Sequence, residues 1–265
     1  MNMNRDAGRG NVIFVNLQLE SGATFPFVLD TGSSWTVFDK SLEPLLGQRV
    51  HTATVWRWGV KEDSGIYRAP KLFLGGVPLL TGKAVATDDF KSISQQLGRS
   101  VMGLIGMDTL KNYCLQLDFA AGKVRFLDSA HADKTKWGEA FPLKDIGDGC
   151  PSVEINLAGA AGSGSIIDTG CAYDGWLTSP VFREWTDATR APSAGEKRRP
   201  NGALGQALFQ HLALHELPAQ AQAGNDLHMK FNGLGLSLLA RRTVTFDFPN
   251  HTLYLKHPSV RSLIF

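Results

Sequence analysis

Three cysteines in 265 residues, Cys114, Cys150 and Cys171, are too few and too scattered for a disulfide framework or a zinc site. No spacing rule selects a Cys150–Cys171 bridge. No apolar run is long enough to span a bilayer. The formal net charge is only +2 and charged residues are 20%, so no strong field points to nucleic acid or an anionic membrane. The one dense basic cluster, Lys197-Arg198-Arg199, has Pro192 and Pro200 beside it and reads as a solvated loop. The start, Met1 to Asp6, lacks the apolar stretch of a signal peptide. The chain as it stands is therefore expected in the cytoplasm, or in the periplasm or medium if it is a mature or truncated form. That polar start runs directly into the first strand and leaves little room for an inhibitory segment. Hydrophobic residues are plentiful, at 43%, enough for one large core or two modest ones facing each other.

The chain repeats itself. Asp-Thr-Gly occurs at Asp30-Thr31-Gly32 and again at Asp168-Thr169-Gly170, each after an apolar run, Phe27-Val28-Leu29 and Ser165-Ile166-Ile167. Average usage makes any one tripeptide a roughly one-in-several-thousand event per position, so chance does not account for two copies with the same lead-in. Residues 15–32 and 153–170 align without a gap. Both begin with alternating apolar residues (Val15, Leu17, Leu19; Val153, Ile155, Leu157), pass a Gly-containing turn and return. Two β-hairpins ending in Asp-Thr-Gly are the simplest account. Downstream, Gly106 precedes Asp118 by 12 residues in a Leu-Asp-Phe strand, and Gly235 precedes Asp247 by 12 in a Phe-Asp-Phe strand. Each is followed by a turn and a further alternating strand.

Two lobes follow from this repeat, at 1–128 and 135–265, joined by a polar linker at 129–134. The expected class is all-β with a few short helices, at Ser41–Leu46, Val181–Arg190 and Leu204–Leu217. The second of these has Ser179 as N-cap and Pro180 at its first position.

At these residues the chain resembles the aspartic proteases, the pepsin-like and retropepsin-like enzymes. The two Asp-Thr-Gly loops carry the resemblance, with Leu104-Ile105-Gly106 and Leu234-Gly235. The run Gly103-Leu-Ile-Gly-Met-Asp-Thr-Leu, followed by Leu-Asp-Phe, looks especially like bacterial retropepsin-like proteins. Two fused lobes are pepsin-like, at less than typical pepsin length, which implies a compact bacterial two-lobed member. In the place of the family's flap hairpin, which usually carries Tyr-Gly, stand Trp58 and Gly59, with Val60–Ser64 as the expected polar turn. Trp56 and Trp58 read otherwise as core residues on alternate strand positions.

The resemblance implies a cleft between the lobes, with Asp30 and Asp168 as the catalytic pair. Two carboxylates sharing one proton supply both needs of peptide hydrolysis, a base for water and an acid for the carbonyl oxygen. Gly32 and Gly170 let backbone N–H groups approach the acids. Thr31 and Thr169 are implied to cross-link the loops, and the Ser33 hydroxyl to donate to Asp30. Cys171 stands where Ser or Thr is common. A thiol is a weak donor, so the pair should hold its proton more tightly and work nearer to neutral pH than a strongly acid pepsin. The implied substrate is an extended peptide or protein segment bound under the flap by a monomer, with no metal or organic cofactor. A peptide-binding protein of the same fold without catalysis is the alternative.

Other signals are weaker. His211 and His215 lie four apart on the expected third helix, a spacing that can present two metal ligands, but the order is not His-Glu-x-x-His and no third ligand is evident. Gly159–Gly164 lacks the Gly-Lys-Ser/Thr ending of a phosphate loop. No Gly-x-Ser-x-Gly elbow supports a serine triad. Asp118 and Asp247, each in an alternating strand, read as structural.

Overall fold

The computed structural model describes residues 1–57, 60–145, 149–155, 163–178, 215–216 and 231–257. In chain order the first strands are β1 (Phe14–Leu19), β2 (Thr24–Leu29), β3 (Val37–Asp39), β4 (Arg49–Arg57), β5 (Val60–Arg68), β6 (Leu72–Leu74), β7 (Val77–Pro78), β8 (Ala84–Asp88) and β9 (Gly103–Ile105). They form one sheet ordered β4-β5-β8-β3-β9-β2-β1-β6-β7. Then come β10 (Cys114–Asp118), β11 (Lys123–Leu127), β12 (Glu139–Pro142), β13 (Lys144–Asp145), β14 (Pro151–Ile155), β15 (Ser163–Asp168), β16 (Gly175–Leu177), β17 (His215–Glu216), β18 (Asn232–Gly235), β19 (Thr243–Asp247) and β20 (Thr252–Lys256). A second sheet runs β13-β14-β15-β18-β16-β17, and a third, β11-β10-β19-β20-β12, joins strands from both halves of the chain. The fold is all-β, with short helices α1 (Glu43–Leu46), α2 (Lys91–Gln96), α3 (Met107–Leu110) and α4 (Leu236–Leu239) among the described residues.

The sequence repeat is a repeat of register. In β1–β2, Phe14 faces Val28; in β14–β15, Ser152 faces Ile166. The second pair is the first shifted by 138 residues, the separation of the two Asp-Thr-Gly loops. Each hairpin's return strand then gains a parallel neighbour from far along the chain: Leu29 beside Ile105, and Ile167 beside Leu234. Alternation explains the faces. Val15, Leu17 and Leu19 of β1 are buried and Asn16 is exposed, as period-two strands on a core require. One continuous apolar core runs from Ile13, Leu29 and Ile105 through Leu115 and Leu117 to Ile167, Leu234, Phe246 and Leu253. The third sheet carries it across: β10 and β19 pair antiparallel about Gln116 and Thr245, whose side chains hydrogen-bond at 3.0 Å.

Two local expectations change. The stretch Val60–Ser64 is strand, because Arg57 pairs with Val60 and Ala53 with Ser64, so the reversal is not there. His215–Glu216 is strand rather than the end of a helix, because its backbone pairs in parallel with Trp176–Leu177, as β8 pairs with β3 in the first half. Non-local pairing overrides local propensity here. The expected helix at Val181–Arg190 and the rest of the one at Leu204–Leu217 lie outside the described residues. At Ser41–Leu46 the chain forms a 3-10 turn, Lys40–Leu42, capped by the Asp39 carboxylate, and then α1. The linker stretch is anchored: Lys134 pairs at 2.7 Å with the buried carboxylate of Asp247. All three cysteines are free thiols.

Candidate active site

Asp30 follows β2 and Asp168 ends β15, so each sits where a strand between two neighbours gives way to a loop. The Asp30 N–H donates to Ile105 O at 3.1 Å, and Asp168 pairs with Gly235. The register repeat therefore delivers the two carboxyl groups to one place. A Cβ added at Gly32 would lie 2.4 Å from Asp168 Cγ, and one at Gly170 would lie 2.5 Å from Asp30 Cγ. Each loop thus passes directly against the other loop's carboxyl, which only a residue without a side chain allows.

Beneath the acids the loops are cross-bonded. Thr31 N–H donates to Thr169 Oγ1 at 3.0 Å, and Thr169 N–H to Thr31 Oγ1 at 3.1 Å. Each hydroxyl then donates onward, Thr31 to Ile167 O at 2.6 Å and Thr169 to Leu29 O at 2.7 Å. Both threonines are buried, so none of these groups has water as an alternative partner.

The carboxyl groups are fed by backbone donors. Gly32 N–H reaches Asp30 Oδ1 at 2.9 Å; Gly170 and Cys171 N–H groups reach Asp168 Oδ1 at 2.8 and 3.1 Å. The two carboxyls also lie close enough for each to shift the other's proton affinity. Burial raises the Asp30 pKa, against the opposing hydrogen bonds from Asp168 and from the Gly32 and Ser33 N–H groups. Burial drives Asp168 well above the usual carboxylate range, assisted by the Asp30 charge and the bond between them. Both shifts run toward the protonated form, so the pair gives up its protons at higher pH than two free aspartates would, and it titrates as a unit.

Ser33 departs from its expected role. Its hydroxyl donates to Trp35 O at 2.9 Å, and it is the Ser33 backbone N–H that supports Asp30. A loop turning tightly over its own carbonyl offers the hydroxyl a nearer acceptor. The Cys171 thiol is pushed up to about 12, by burial first and then by the Asp168 charge; the Tyr173 N–H donates to it. Trp58 and Gly59 lie outside the described residues, as does His211. Among the described residues no group of three or more His, Cys, Asp or Glu side chains is placed to hold a metal ion. A cavity of about 540 Å³ beside α2, lined by Asp39, Phe90, Lys91 and Arg99 among others, includes neither aspartate.

Sequence reasoning missed a second tier of support. The N–H groups of Met107 and Asp108, at the start of α3, donate to Ser33 O and Ser34 O at 2.8 and 3.1 Å. Thr36 Oγ1 accepts from Gly106 N–H at 3.2 Å and donates to Asp108 Oδ1 at 2.7 Å. In the other half, Leu236 N–H donates to Cys171 O at 2.8 Å and the Ser237 hydroxyl to Ala172 O at 2.5 Å. The signal was in the repeat, since a shift of 129 residues that superposes Gly106 on Gly235 also sets Asp108 on Ser237.

The fold has a solved counterpart. The crystal structure of an aspartic proteinase from Irpex lacteus superposes with a TM-score of 0.54 over 94% of this chain and 94% of that one, at 14% sequence identity. The fold is the pepsin-like all-β fold. At that identity the likeness is one of architecture. No family model matches the chain, and no curated protein sequence does.

Proposed function

We propose that this protein is an aspartic endopeptidase in which Asp30 and Asp168, one from each of two lobes meeting near residues 129–134, activate a water for attack on a peptide bond. One observation carries the reading: two carboxyl groups, Asp168 buried and Asp30 half-buried, each pressed against the other loop's glycine, on loops locked by reciprocal threonine bonds. Two like charges held this close together are costly to keep, and sharing one proton is the state that makes them useful. The ionised member takes a proton from water as it attacks the carbonyl carbon; the neutral member protonates the carbonyl oxygen. The tetrahedral intermediate collapses when the nitrogen gains a proton and the C–N bond breaks. The pair supplies acid and base together, so the chemistry calls for no metal or organic cofactor.

The substrate in this reading is an extended peptide or protein segment, paired through its backbone with strand edges beneath the β4–β5 hairpin, with Trp58 and Gly59 as the proposed flap contacts. The chain acts as a monomer, since it supplies both aspartates itself. Activity persists toward neutral pH, because the raised proton affinity of the pair keeps the shared proton there. Incubation with a mixed peptide library, with and without pepstatin or EDTA, tests the proposal. Cleavage that pepstatin blocks and EDTA leaves intact supports it. Peptide binding without cleavage at any pH overturns it in favour of a non-catalytic binder, and EDTA-sensitive cleavage in favour of a metal-dependent hydrolase.

A further inference from the structure

A third carboxyl group stands behind the first aspartate loop. Asp108, on α3, gives Oδ1 to the Thr36 hydroxyl at 2.7 Å, and that hydroxyl lies 3.0 Å from Thr109 Oγ1. Oδ2 is buried and has no hydrogen-bond partner among the described residues. It faces Gly82, where an added Cβ would come within 3.0 Å of it. The segment carrying Gly82 is tied to the same helix end: Asn112 Nδ2 donates to Leu80 O at 2.9 Å, and Leu80 N–H donates to the Tyr113 hydroxyl at 2.5 Å.

We propose that Asp108 is a positioning residue, which holds the Asp30 loop in place while its carboxyl is neutral and loosens it on ionisation. The proposal rests on the assignment of Asp30 to catalysis. Two links connect Asp108 to that loop. Its own N–H donates to Ser34 O, and its Oδ1 orients Thr36, which in turn receives the Gly106 N–H. A neutral carboxyl leaves a small dipole against Gly82. An ionised one leaves a buried charge whose Oδ2 must find donors, at the expense of the contact between α3 and the Gly82 segment. The groups facing the carboxyl are the hydroxyls and N–H groups of Thr36 and Thr109; these favour ionisation, and burial outweighs them. Lys83 and Lys111, the cations adjoining these segments, are exposed. The other titratable neighbour, the Tyr113 hydroxyl, is engaged with Leu80. In the second half the corresponding support is the Ser237 hydroxyl, which does not titrate in this range. Of these two supports, the one behind the Asp30 loop is the one that titrates.

The sign follows from a folded-state pKa above the unfolded one. The contribution of Asp108 to stability is complete below the ordinary aspartate range and is lost as pH rises through the higher folded value. Asp108→Asn keeps an acceptor for Thr36 and removes the titration. Its Tm relative to wild type is expected to rise by several degrees from pH 4 to pH 8, and the alkaline limb of its kcat profile to move up by at least half a pH unit. Parallel Tm–pH curves for the two proteins would overturn the proposal. If only the Tm arm behaves as expected and no peptide is cleaved by either protein, the endopeptidase reading fails, and with it the link to Asp30 catalysis. Where Asp108→Asn does not fold, NMR of wild type labelled with 13C at aspartate reads the group directly, with Asp108→Ser for assignment. An ionisation midpoint above the ordinary range supports the proposal and an ordinary one overturns it.

Discussion

Replacing Gly32 by alanine perturbs the one dimension on which the site depends. The new Cβ would lie 2.4 Å from Asp168 Cγ and 2.6 and 2.8 Å from its two oxygens. Ordinary contact is about 3.5 Å, so the loops must separate by about 1 Å. The threonine cross-bonds resist that movement from below. Overpacking of this kind costs about 1–3 kcal/mol, and a 1 Å misplacement of reacting groups costs about 10²-fold in rate. Gly32→Ala is therefore expected to lower kcat about a hundredfold and the urea midpoint measurably. Gly170→Ala should do the same, since its Cβ would lie 2.5 Å from Asp30 Cγ. Gly164→Ala in β15 is the control: nothing lies within 4 Å of its Cβ, so stability should hold or rise slightly. Peptide-cleavage kinetics and urea denaturation on all three proteins decide the matter. Wild-type kcat in Gly32→Ala would refute the close-approach argument.

Thr31→Val orphans the buried Thr169 N–H and removes a donor from Ile167 O; calorimetry should show a loss of roughly 1–3 kcal/mol for each orphaned group, with Thr31→Ser retaining most of it. The raised pKa of the aspartate pair makes its contribution to stability present below about pH 4 and lost as pH rises through the folded value. Asp168→Asn should therefore melt at a higher temperature than wild type at pH 7, the gap closing toward pH 4 in a Tm series. Burial pushes both Cys114 and Cys171 thiols up to about 12, and Cys150 is fully buried. Thiol-reactive dye at pH 8 should accordingly label native protein slowly and unfolded protein at three sites, as read by mass spectrometry.

What was legible in the sequence was whatever the chain states twice. The hairpins leading to Asp30 and Asp168, and the Gly106 and Gly235 segments, could be aligned because both copies kept apolar alternation and Asp-Thr-Gly. The parallel neighbours of β2 and β15 were not legible as pairings: Leu29 and Ile105 carry no local mark of adjacency, and only the fold brings them together. The same holds for β17, whose strand state comes from β16 rather than from its own residues. Hydroxyl partners were the hardest to read. Ser33 has a choice between the Asp30 carboxylate and Trp35 O, which the path of the backbone decides. Asp108 is separated from Thr36 by 72 residues, so its place behind the Asp30 loop follows from topology alone.

The central claim is that Asp30 and Asp168 act as one proton-sharing unit. Single-turnover cleavage of one good peptide by Asp30→Asn, Asp168→Asn and the double variant measures this most directly, with folding of each checked by circular dichroism. Groups acting as a unit are non-additive, so each single variant should fall to the residual rate of the double variant. A single variant that keeps a substantial fraction of the wild-type rate would contradict the account.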